Sequence, residues 1–209
     1  MFYWFMKNLV AGPILKTVFR PWVSGIENIP KTGAVILASN HLSFADSIFL
    51  PLMIDRPVTF LAKSDYFTGT GVSGTIRRGF FVGSQAIPVD RHSSRAAQES
   101  LELALEVLRE GRAFGIYPEG TRSRDGRIYR GRTGVAWLAL TAGVPVVPVG
   151  LVGTDKVQPV GAKLPSLAKV RVAFGTPISP QRYAAMPAGR ARRELTDEIM
   201  LAIATLSGQ

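Results

Sequence analysis

The chain has 209 residues, no cysteine and only two histidines, and its 25 Lys and Arg against 15 Asp and Glu leave a formal net charge of +10. The absence of thiols excludes disulfides, thiolate metal sites and cysteine nucleophiles, and the length suits one domain with a sizeable core. The charge points to anionic partners: nucleic acid, an acidic membrane surface or a phosphorylated small molecule.

Residues 1–23 carry Met1-Phe2-Tyr3-Trp4-Phe5-Met6 and Leu9-Val10-Ala11, and the only charges before Glu27 are Lys7, Lys16 and Arg20. No uncharged run here approaches the ~20 residues that cross a bilayer, and Pro13 interrupts the segment. With no basic leader ahead of an apolar core and no small-residue cleavage site, a secretory signal is not expected. Aromatics interleaved with sparse basic residues predict a pair of short helices lying in the interface of an anionic membrane. The competing reading is an amphipathic helix docked on the core. The predicted organisation is an interfacial helical anchor over 1–23 and a globular domain over 24–209.

Residues 22–30 read as a short strand and turn, and the unbroken apolar run 34–38 reads as a buried strand. The stretch Asn40-His41-Leu42-Ser43-Phe44-Ala45-Asp46 follows, and 47–54 reads as a helix. A strand over 58–62 ends at Lys63, a short Gly-rich helix lies within 69–81, and a strand over 86–89 ends at Asp90-Arg91. Ser93 or Ser94 caps a helix in which Leu101, Leu105 and Leu108 share one face and which Gly111 stops. A strand over 113–117 runs into a loop whose last eleven residues hold Arg122, Arg124, Arg127, Arg130 and Arg132. A helix over 134–142 and a strand over 144–150 come next. Pro145 and Pro148 in that strand argue for an edge or end position. A strand over 170–174 and a helix between 189 and 206 complete the chain. Strands alternating with helices predict an α/β fold, a largely parallel sheet flanked by helices on both faces.

In such sheets, reactive residues gather where strands hand over to loops at their C-terminal ends. His41, Lys63, Arg91 and Glu119 all follow predicted strands in this way. If the chain turns between His41 and Asp46, the carboxylate can sit beside the imidazole, giving a base oriented by an acid. The alternative is a helix-capping Asn or Asp next to a buried histidine. There is no G-x-S-x-G elbow and no cysteine to act as nucleophile. A His–Asp pair without a protein nucleophile suggests that the substrate brings the hydroxyl, and Ser43 between them reads as part of the turn. Arg91 and Glu119-Gly120-Thr121-Arg122-Ser123 suit an anion, because guanidinium groups fork onto phosphate and Gly120 lets backbone amides approach. Glu119 reads as a brace for the arginines or a partner for a substrate hydroxyl. The other reading of this loop is a solvated basic surface. His92 reads as a surface residue, no metal-ligand spacing appears, and no RNA- or DNA-binding motif accompanies the charge.

Four ordered stretches carry a resemblance: Asn40-His41 with Asp46, then Ile87-Pro88-Val89-Asp90-Arg91, then Tyr117-Pro118-Glu119-Gly120-Thr121-Arg122-Ser123, then 144–149. Together, over about 25–177, the chain resembles the glycerolipid acyltransferases, and among them the bacterial 1-acyl-glycerol-3-phosphate acyltransferases. The resemblance implies a membrane-bound enzyme that moves an acyl group from acyl-CoA or acyl carrier protein to lysophosphatidic acid, with no cofactor. It implies His41 as the base and Asp46 as its partner. It also implies Arg91 and Arg122 as phosphate ligands, with Glu119, Gly120 and Thr121 shaping that pocket. Lys63 matches a basic position that would steady the phosphate or the developing oxyanion. Val89 stands where the family usually has Phe, and the proline-containing stretch 144–149 would line the acyl pocket. The implied location is the cytoplasmic face of the cell membrane, peripheral or monotopic, on an anionic surface and without nucleic acid. Glycerol 3-phosphate, another lysophospholipid or a glycolipid are alternative acceptors. Outside the class, a non-catalytic membrane- or RNA-binding module would explain the charge but not the His–Asp pair.

Overall fold

The computed structural model describes residues 7, 9, 11–68, 71–83, 86–89, 94–159, 161, 162 and 164–209. Much of the expected anchor (1–6, 8 and 10), together with Arg91 and His92, lies outside these residues.

The chain runs α1 (Ala11–Phe19), β1 (Trp22–Ser24), β2 (Val35–Ser39), α2 (Asp46–Leu52), β3 (Val58–Lys63), α3 (Gly71–Gly83), β4 (Ile87–Val89) and α4 (Ser94–Arg109). It continues through β5 (Ala113–Ile116), α5 (Gly134–Ala142), β6 (Val146–Val152), α6 (Thr154–Val157), β7 (Arg171–Phe174) and α7 (Ala188–Ser207). Seven strands form one sheet in the order β1-β7-β6-β2-β5-β3-β4. Every pairing is parallel except β6 with β7. The expected α/β class and the largely parallel sheet are what the chain adopts.

Successive side chains of a strand point to opposite faces, and β2 divides the core accordingly. Val35 and Leu37 enter one apolar cluster with Phe49 and Leu50 of α2 and Val147, Val149 and Leu151 of β6. Ile36 and Ala38 enter the other, beneath α4, α5 and α7. Both faces being covered explains why β2 is apolar without alternation. In α7, Leu195, Ile199 and Ile203 recur every fourth residue and are fully buried, the stripe by which a helix seats on a sheet. On the first face α1 lays Leu15 and Phe19 against the core, and the expected boundary at 23/24 falls inside β1. No described helix is long and apolar enough to cross a membrane.

Of the edge or end position expected from the two prolines, the edge is corrected, because β6 is central, between β7 and β2. Pro145 does stand at the strand end, just before Val146. A residue in a strand points its N and O the same way, and the Pro148 carbonyl accepts from Gly175 on the β7 side. Pairing with β7 begins only at Val149. The donor that Pro148 lacks therefore falls where no ladder partner is waiting, and the β2 side stays complete. The Gly-rich helix is also fuller than expected, thirteen residues from Gly71 to Gly83.

Candidate active site

Parallel packing brings the ends of β2, β3 and β5 side by side, and the loops leaving them build the site. Asn40 first closes β2 onto β6. Its Nδ2 donates to the Leu151 carbonyl at 2.9 Å and its Oδ1 accepts from the Leu151 N–H at 2.8 Å. A side-chain amide thus copies one rung of a backbone ladder, a clamp rather than a helix cap.

The chain then turns sharply enough to return Asp46 to His41. Asp46 Oδ2 lies 2.8 Å from His41 Nδ1 and accepts the backbone N–H groups of Leu42 and Ser43 at 2.7 Å each. The carboxylate is fully buried and the imidazole is 14% exposed. An acceptor facing Nδ1 puts the imidazole proton there and leaves Nε2 with its lone pair for a substrate proton. The carboxylate ties the turn that precedes α2 and does not cap the helix, whose N-cap position, Ala45, has no side-chain cap bond. The arrangement is that of an imidazole beside an orienting acid. Ser43 is buried, donating to the Gln158 carbonyl at 2.7 Å and accepting from Ala45 N–H. It is part of the turn, as expected.

The stretch after β5 grips the same histidine. Glu119 Oε1 accepts the His41 backbone N–H at 3.0 Å, and the Ser123 N–H donates to the His41 carbonyl at 2.7 Å. Glu119 Oε2 takes the Tyr129 N–H at 2.9 Å. Both oxygens of this buried carboxylate are therefore spent on backbone donors, and Glu119 braces the His41 turn instead of the arginines. Burial raises its carboxyl above the usual range, while the two N–H donors pull the other way. Gly120 has φ +76, and its N–H closes a turn onto the Tyr117 carbonyl. A Cβ there would come within 2.9 Å of the Arg132 side chain. The turn itself thus demands glycine, independently of any anion. Thr121 and Arg122 bulge between the two grips, which fixes their backbone beside His41.

Two cavities meet at His41. One, of about 220 Å³, is lined by His41, Lys63, Thr121 and Arg122 together with Phe44 and Phe81. Lys63 forms an ion pair with Asp65 at 2.5 Å on the rim. The other, of about 420 Å³, passes beneath β3 and β5 toward Ala97 and Leu101 of α4 and Val135 of α5, with Gly120 on its wall. The structure thus brings together His41, Asp46, Lys63, Thr121 and Arg122, sets Gly120 beside them and places Glu119 behind. The proline-containing strand lines neither cavity, because β6 is covered on both faces.

Sequence reasoning missed the aromatic plate under His41. Tyr117 stacks on His41 with ring centroids 3.8 Å apart and planes 8° apart, and Phe60 stacks behind Tyr117 at 5.8 Å. The phenol is fixed by Ser47 Oγ at 3.1 Å. Burial and the nearby Asp46 charge hold its pKa well above 10, so it stays protonated. An aromatic at the strand end, one residue before Pro118, was the available signal. Phe60 could find its place only because residue 115 is glycine, where a Cβ would lie 2.2 Å from the ring.

A family model for acyltransferases matches residues 20–152, which include His41, Asp46, Lys63 and Arg122. The chain belongs to the acyltransferase family. A chloroplastic 1-acyl-sn-glycerol-3-phosphate acyltransferase of Brassica napus is 30% identical to this acyltransferase over 179 residues, covering 85% of this chain and 50% of the relative. A 1-acyl-sn-glycerol-3-phosphate acyltransferase of Borreliella burgdorferi is 35% identical over 133 residues, covering 64% and 51%. The chain thus spans about half the length of these curated relatives. Among solved structures, the 1-acyl-sn-glycerophosphate acyltransferase of Thermotoga maritima superposes with a TM-score of 0.72 at 25% identity, covering 100% of this chain and 88% of that one.

Proposed function

We propose that this acyltransferase moves a fatty acyl group from a thioester donor, acyl-CoA or acyl carrier protein, to the free hydroxyl of 1-acyl-glycerol 3-phosphate. The observation that carries the reading is the 2.8 Å contact of His41 Nδ1 with buried Asp46, placed where a cationic cavity meets an apolar one. His41 Nε2 removes the hydroxyl proton as the oxygen attacks the thioester carbonyl. The tetrahedral intermediate then expels the thiolate, which takes the proton from the imidazolium. Asp46 stabilises that imidazolium while it exists. The thioester is already activated, so the step needs neither a covalent enzyme intermediate nor a metal.

Arg122, with Lys63 and Thr121, would receive the acceptor phosphate in the smaller cavity. The apolar cavity beneath β3 and β5 would take acyl chain. Arg91 is proposed as a further phosphate ligand on its motif alone. Two of the named relatives above act on 1-acyl-sn-glycerol 3-phosphate by name, which supports that acceptor over glycerol 3-phosphate or a glycolipid. The test is a matrix of purified protein with lysophosphatidic acid and glycerol 3-phosphate, each with acyl-CoA and with acyl carrier protein. Phosphatidic acid formation that disappears in His41→Ala supports the reading. Turnover of glycerol 3-phosphate alone would replace the acceptor, and full turnover in His41→Ala would remove the base.

A further inference from the structure

Among the described residues ten large apolar side chains are exposed, and six of them, Leu9, Ile14, Val18, Trp22, Leu164 and Leu167, fall in two short segments far apart in sequence. The fold joins those segments. A groove is lined on one side by Val18, Arg20 and Trp22 and on the other by Leu167, Lys169 and Arg171. Trp22 N–H donates to the Val170 carbonyl at 2.9 Å. Leu164 and Leu167 are 80% and 78% exposed, more than any other large apolar side chain described.

The charge of this face is one-sided. Residues 7–26 and 156–174 contain no Asp or Glu, while Lys16, Arg20 and Lys169 are exposed among the apolar groups. Topology sets the face beside the site. β6 is parallel to β2, whereas β7 runs against β6 and β1 runs with β7. The row Trp22, Arg171, Val152 therefore stands at the end of the sheet from which the His41 turn springs. The loop bearing both leucines leaves from Gln158, whose carbonyl is held by Ser43 of that turn.

We infer that the loop through Leu164, Leu167 and Lys169 continues the outer side of α1 and Trp22, already expected at a membrane, as one surface that lies on an anionic bilayer. Apolar side chains and a tryptophan rimmed by lysine and arginine, without carboxylates, match the headgroup boundary of such a bilayer. A soluble protein surface would normally mix both signs of charge. The contact thus extends beyond the N-terminal segment to a loop that sequence periodicity did not single out. It faces the mouth of the catalytic turn toward the membrane; that purpose rests on the function proposed above, the surface itself on placement and charge.

The experiment is co-sedimentation of the full chain with vesicles of phosphatidylcholine alone or mixed with phosphatidylglycerol. L164E/L167E removes no packed side chain, so the fold is expected to persist. It should weaken association with the anionic vesicles about tenfold or more, by losing apolar contact and adding repulsion. Lys169→Gln should weaken binding to the anionic vesicles only. Turnover of a short-chain lysophosphatidic acid dispersed as monomers should be unchanged in both variants. Leu201→Glu, at a site 70% exposed on α7 across the sheet, should bind vesicles like the parent. Undiminished binding of L164E/L167E overturns the inference, as does an equal loss in Leu201→Glu. A parent that ignores vesicles but forms a dimer which L164E/L167E splits would make the face a contact between copies, again overturning it. Absent turnover in a parent that still binds vesicles would count against the proposed function and leave this surface standing.

Discussion

In the turn from Asn40 to Asp46, side chains that carry charge or hydrogen bonds are buried. Asn40, Ser43 and Asp46 are fully shielded and tied to β6, Gln158 and the imidazole. Between Thr121 and Arg132, by contrast, five guanidinium groups stand exposed. Among the described residues only Arg127 there has a carboxylate partner, Asp125 at 3.9 Å. The two regions meet at one residue, since the start of the arginine loop holds both the N–H and the carbonyl of His41. Under the proposed function, the difference teaches how labour is divided between a base and the ligands of a phosphate. A base must stand within a hydrogen bond of its proton, so its geometry is fixed before substrate arrives. A phosphate is a multivalent anion that several long cations can reach, so its ligands need only be tethered nearby.

The largest effect should follow from the turn. His41→Ala should lower kcat by about 10²–10⁴ with little change in melting temperature, the range over which general bases contribute. Asp46→Asn should cost turnover on a similar scale. It also faces an amide toward the Leu42 and Ser43 N–H groups, so it should melt earlier; a stable, active Asp46→Asn would break the contrast. Asn40→Ala leaves both backbone groups of Leu151 without their partner in the core. A stability loss of about 1–3 kcal/mol per orphaned group, read by chemical denaturation, is expected. Arg122→Ala should instead raise the acceptor KM several-fold with an unaltered fold, and the KM rise should shrink in high salt. An Arg122→Ala protein that unfolds, or keeps its KM, would contradict the loop's part of the comparison.

The smallest effect is a pH dependence. Burial raises the Glu119 carboxyl above its usual 4.5. In the window just above 4.5 the native state keeps this proton longer than the unfolded chain does, so its contribution to stability falls as pH rises there. Glu119→Gln should remove that slope from a plot of stability against pH. It should also loosen His41, because an amide offers one acceptor where two N–H donors wait. An unchanged slope would show that Glu119 titrates in the folded state as it does in the unfolded chain.

Much of this was legible in the sequence. The apolar run of β2, the leucine stripe of α4 and the strand–helix alternation gave the sheet, because each is a local pattern with one period. His41 with Asp46, and Arg122 with Lys63, were readable because parallel strands deliver their C-terminal ends to one place. Pro148 misled because a proline in a strand is penalised only on the side its nitrogen faces, and that side is set by the partner strand. The partners of Glu119 and Asn40 were hidden for the same kind of reason. Each bonds to backbone atoms of residues distant in sequence, which no spacing records. Tyr117 and Phe60 needed the third dimension too, since the plate depends on the space above Gly115.

The stack of His41 on Tyr117 also supplies the protein with a built-in reporter. An imidazole face-on to a phenol at 3.8 Å lies in the shielding cone of that ring, so its carbon-bound protons should resonate upfield of an ordinary histidine. With only one other histidine in the chain, two imidazole signals suffice for assignment, and His41→Ala would name them. This ring lines both cavities, so its chemical shift should register occupancy of either one directly, before any acyl group has moved.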